Sequence, residues 1–105
     1  MKPSIYKVSQ EKWNGFLPNI QLQHIVAELL RATHASLRDE KESERIKGAY
    51  ERALSLIDAS LSDSQWKDKT LLYQLRDAVA ALYTGETDPA ITRFICSQLL
   101  ENSKI

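Results

Sequence analysis

Apolar residues recur at three- and four-residue intervals over most of this 105-residue chain, and that period constrains its fold more than any other feature. Residues 19–37 carry Leu22, Ile25, Val26, Leu29, Thr33 and Leu37 on one stripe. Residues 40–61 carry the cleanest stripe: Ile46, Ala49, Tyr50, Ala53, Leu54, Ile57 and Leu61. Residues 64–84 carry Leu71, Leu72, Leu75, Val79, Leu82 and Tyr83, and residues 89–102 carry Ile91, Phe94, Ile95 and Leu99. Each stripe needs a partner surface to bury it. The expected fold is all-α: an antiparallel, up-and-down bundle of four main helices over 19–105, preceded by a short N-terminal aromatic arm over 1–18.

Local punctuation sets the expected boundaries. Asn19 is a candidate N-cap. Asp39 with Glu42 has the spacing of a capping box, as does Ser62 with Gln65, and Ser62, Asp63 and Ser64 are all cap-forming types. Gly85 sits where a left-handed residue ends a helix, and Asp88 followed by Pro89 fits the start of the next. No Gly or Pro lies between Asn19 and Lys47, so local signals allow one long helix there. Phase argues against it. At about 100° per residue the two stripe centres differ by roughly 130°, so a straight helix would aim its halves at different faces. The polar run 38–45 spans the phase jump, and a turn is expected there.

The arm has its own pattern. Ile5, Tyr6 and Val8 suit a short extended segment. Ser9 then caps a brief helical turn carrying Trp13, Phe16 and Leu17, interrupted at Asn14-Gly15 and ended by Pro18. The simplest role for Trp13 and Phe16 is to plug the open end of the bundle. The alternative is that the arm docks a second chain.

Composition narrows the function. With 43% hydrophobic and 27% charged residues, the chain has an ordinary globular balance. Fourteen basic and fourteen acidic residues cancel and alternate along the chain, which disfavours a phosphate-gripping nucleic-acid binder and an anionic-membrane anchor. Cys96 is the single cysteine, so no internal disulfide and no cysteine-based zinc site can close. No stretch has the long apolar run of a secretory leader or a membrane span. A soluble cytoplasmic protein is expected.

Tyr50, Ala53, Leu54 and Leu56 have the spacing of the second helix of tetratricopeptide repeats. His34 and Lys41 stand where that pattern wants small residues, and the interval from Tyr50 to Phe94 exceeds one repeat. The similarity is one of helical-hairpin geometry, and no family is recognised.

Several residues are of types that carry chemistry. His24, Glu28 and Arg31 fall in line at i, i+4 and i+7, away from the apolar stripe. They read as a solvated face with a weak ion-pair ladder, or else as a small ligand, metal or acid–base site. His34 reads as a half-buried edge residue. Arg76 reads as a structural pairing group near a seam. Glycine loops for phosphate, nucleophile elbows and paired metal-ligand motifs are absent, so no cofactor, metal or catalytic residue is assigned. Residues 62–76 imitate a helix-turn-helix, but Asp63, Asp68 and Asp77 offset Lys67, Lys69 and Arg76.

One clue remains. Leu30, Leu56, Tyr73, Cys96 and Leu100 fall outside the main stripes, and grouped exposed apolar residues mark partner sites. With Trp13 and Trp66, they are the expected partner-binding residues. The expected function is a non-enzymatic helical interaction module that binds a protein partner or a second copy as a homodimer. The alternatives are a nucleic-acid-associated regulator and a small enzyme or ligand binder using the His24, Glu28 and Arg31 line.

Overall fold

The computed structural model describes residues 9–36, 43–85, 94, 95, 97, 98 and 101. Among the described residues every regular element is helical: α1 (Gln10–Asn14), α2 (Pro18–Ser36), α3 (Ser43–Leu61) and α4 (Thr70–Thr84). The fold is all-α. The turn expected over 38–45 falls largely outside the described residues, and so does most of the helix expected over 89–102. Of that last stretch, Phe94, Ile95, Ser97, Gln98 and Glu101 are described, and all are helical.

Contacts between distant residues fix the topology. Gln21 near the start of α2 bonds Ser60 near the end of α3, and Glu28 meets Arg52 midway along. The two helices therefore run antiparallel, side by side, which rules out one continuous helix. Likewise Asp58 late in α3 meets Arg76 midway along α4, and Glu51, nearer the middle of α3, meets Tyr83 at the end of α4. These helices are antiparallel too. The carboxylate of Glu51 disfavours ionisation of the phenol bonded to it, holding Tyr83 above the usual tyrosine range.

α3 packs against α1, α2 and α4, and so stands at the centre of the described fold. Its buried residues (Ala49, Tyr50, Ala53, Leu56, Ile57, Ala59 and Ser60) cover about half of its circumference at 100° per residue. A helix with one neighbour needs a narrower stripe. This corrects the reading of Leu56 as spare surface: it is buried because α3 has several neighbours. Ile25, Leu29, Ile57 and Val79 are wholly enclosed, each worth about 1.5–3 kcal/mol of apolar burial.

Two helix starts differ from expectation. α2 begins at Pro18, one residue before the candidate cap Asn19. The Leu17 carbonyl accepts from the Ile20 and Gln21 N–H groups, and a proline in the first turn sacrifices no hydrogen bond. α4 begins at Thr70, six residues after the expected start at 64. Here the Asp63 carboxylate accepts from the Gln65 N–H, Asp68 accepts from the Thr70 N–H, and the Lys69 ammonium donates to the Leu61 carbonyl. With backbone turn bonds from the Ser62, Asp63 and Trp66 N–H groups to the Asp58, Ser60 and Asp63 carbonyls, these side-chain bonds support the segment without a helix. The far end of α4 follows the sequence: Gly85 is left-handed at φ 79°, and its N–H reaches the Ala81 and Leu82 carbonyls.

Candidate functional site

α1 is held in place by a buried polar cluster. The Trp13 indole N–H donates to Ser60 Oγ at 3.0 Å, and Ser60 Oγ donates to Gln21 Oε1 at 2.7 Å. Trp66 donates its indole N–H to the same Gln21 oxygen at 2.7 Å. On the other side of the carboxamide, Gln21 Nε2 donates to Asp63 Oδ2 at 2.7 Å and to the Trp13 and Phe16 carbonyls at 3.1 and 3.0 Å. The reverse orientation would set Oε1 against the Asp63 carboxylate, so the network fixes the amide. Gln21, Ser60 and Asp63 are all buried, and each has partners, as buried polar groups require.

The charge of Asp63 is accommodated by the same set. Burial pushes its carboxyl up, but hydrogen bonds from the Gln65 N–H and from the Gln21 and Gln65 amides, together with the Lys69 ammonium, hold it below the usual aspartate value. Gln65 Nε2 also donates to the Asn14 and Phe16 carbonyls. The end of α1 and the turn that follows it are thereby pinned at Trp13, Asn14 and Phe16. Gly15 lies inside this pinned turn, where a Cβ would stand 3.2 Å from the Lys12 carbonyl oxygen.

This pinning shapes a cleft. A cavity of about 250 Å³ opens between α1, α2 and α3, lined by Trp13, Phe16, His24, Ala27, Glu28, Arg31 and Leu56. Its aromatic wall is mutually packed: Phe16 lies 4.9 Å from His24, and Trp13 lies 5.8 Å from His24 and 5.9 Å from Phe16, ring centre to ring centre. At the other end, Glu28 is buried at 8% exposure and accepts from Arg52 Nε at 2.9 Å and Arg31 Nη1 at 2.8 Å. One guanidinium bonds each carboxylate oxygen. The Arg31 side chain is 63% exposed at the rim.

The line of His24, Glu28 and Arg31 thus departs from a solvated ladder at its middle member. Glu28 is buried because Arg52 of α3 covers it, which the spacing within α2 could not reveal. Among the described residues no three His, Cys, Asp or Glu side chains gather closely enough to hold a metal ion.

The expected partner-binding residues do not form one patch. Trp13 and Leu56 are core residues that reach the cleft from inside, so neither presents a free surface. Trp66 is half-buried and serves the polar cluster. Leu30 on α2 and Tyr73 on α4 are exposed, and neither lines the cleft. The side chains of Cys96, Leu100 and His34 lie outside the described residues. Arg76 pairs with Asp58 at 2.6 Å, and that contact holds its guanidinium above the usual arginine value.

Sequence reasoning missed Phe16 as a cleft wall, Arg52 as the second partner of Glu28, and the Gln21–Ser60–Asp63 cluster. A signal existed for the last: Gln21 and Ser60 interrupt otherwise apolar faces of α2 and α3. No family model, curated protein or solved structure matches the chain. Among the described residues no helix is long and apolar enough to cross a membrane.

Proposed function

We propose that the protein is a non-enzymatic interaction module that takes an apolar side chain of a protein partner into the cleft between α1, α2 and α3. One observation carries this reading: a preformed aromatic cleft of about 250 Å³ with exposed apolar residues beside it. Phe16 in its wall is 39% exposed, and Leu17, the next residue, is 62% exposed. Small-molecule sites usually enclose about 300–1,000 Å³, so this cleft suits a single anchoring side chain better than a metabolite. The lining residues include no serine, threonine, cysteine or lysine to act as nucleophile, and both oxygens of Glu28 are engaged by arginines.

Photo-crosslinking tests the reading. Benzoylphenylalanine at position 17 should capture a discrete partner, whereas the same probe replacing exposed Gln74 on α4 should not. Filling the cleft with Ala27→Phe should abolish the position-17 product while the variant remains helical. A partner retained by the filled cleft, or captured equally from position 74, would refute the proposal. If the partner captured is a second copy, the module is a homodimer.

A further inference from the structure

We infer that the partner segment carries a carboxylate beside its apolar anchor. The inference rests on the docking reading above and concerns only the chemistry of the occupant. Glu28 is the one carboxylate among the lining residues, and it is shared by two guanidinium groups. The cluster of Arg31, Arg52 and Glu28 therefore keeps one surplus positive charge. That surplus is not buried: Arg31 is largely exposed at the rim, next to the opening an anchor would use. The opposite wall is aromatic and carries no carboxylate. An incoming lysine or arginine would meet the exposed guanidinium of Arg31 first, and the single negative charge of Glu28 is already shared by two guanidinium groups. An incoming aspartate or glutamate would meet an arginine with guanidinium hydrogens directed at solvent. The aromatic end sets what kind of side chain enters, and the arginine end sets the charge of its neighbour.

Two dipeptide probes separate these contributions: acetyl-Trp-Asp-amide and acetyl-Trp-Lys-amide, titrated into uniformly ¹⁵N-labelled protein. Cleft signals of the Trp13 indole, Ala27 and Leu56 report binding. The aspartate probe should bind roughly fivefold more tightly than the lysine probe, the range open to a partly exposed ion pair, and the ratio should shrink in high salt. Arg31→Glu should reverse the order. Arg31→Glu also sets a second carboxylate beside buried Glu28, so its melting transition is recorded, and Arg31→Gln, which removes only the charge, should bring the two probes to nearly equal affinity. Equal binding of the two probes, or a preference for aspartate that survives Arg31→Glu, overturns the charge inference while leaving apolar docking intact. If neither probe shifts the cleft signals, the docking reading falls as well.

Discussion

The two seams of α3 are built from different materials. Toward α1 and α2, apolar packing is interrupted by a closed set of buried hydrogen bonds around Gln21 and by the buried carboxylate of Glu28. Toward α4, the core side chains are Leu75, Val79 and Leu82, and the polar contacts (Asp58 with Arg76, Glu51 with Tyr83) lie at the solvent edge. The first seam accepts one register, because a slip would orphan several buried polar groups at once. The second depends mostly on apolar area, with its polar pairs at the solvent edge. The cleft sits on the first seam, where its walls are held by directional bonds.

Breaking the first seam should cost most. Trp13→Ala removes a buried indole and leaves Ser60 Oγ without its donor, so equilibrium urea unfolding should show a loss of about 4 kcal/mol. Gln21→Leu keeps much of the side-chain volume but strips partners from Ser60, Trp66 and Asp63, and the same measurement should show a loss of ~3 kcal/mol. An apolar substitution that proved neutral here would mean the cluster is dispensable.

Asp63→Asn tests the charge within the cluster and should cost ~1.5 kcal/mol at neutral pH. Its pH dependence has a fixed sign. The folded carboxyl is held below its ordinary value of 3.8, so its stabilising contribution is complete above that value and is lost as pH falls through the folded value. Melting temperatures recorded down the acid limb should therefore fall less steeply for Asp63→Asn than for the parent. At the other seam, Arg76→Ala removes a pair with both side chains about half exposed, and the loss should be only ~0.5 kcal/mol and smaller still in high salt. A larger effect at Arg76 than at Gln21 would invert the comparison.

Much of the fold was legible because helical period is a local property. Leu22, Ile25, Val26 and Leu29 mark α2, and Ala49, Tyr50, Ala53 and Ile57 mark α3, before any tertiary contact is known. Stripe width is not local. Leu56 looked superfluous until α3 was found to contact three other helices. The start of α4 was misplaced because Ser62, Asp63 and Ser64 are all good cap formers, while Asp63 is used inside the fold. The cleft was half legible: His24, Glu28 and Arg31 were visible as a line on one helix, but Phe16 and Arg52 join them from other elements. Only the pairing of α2 with α3 and the pinning of α1 bring these residues together.

The cleft between α1, α2 and α3 is proposed to accept one large apolar side chain. Titration of the ¹⁵N-labelled protein with N-acetyltryptophanamide, a single uncharged side chain, tests it most directly. Saturable shifts are expected at the Trp13 indole, Ala27, Arg31 and Leu56, with the Tyr73 face of α4 unaffected. Shifts of equal size at Tyr73, or none at the cleft up to the solubility limit of the probe, would contradict it.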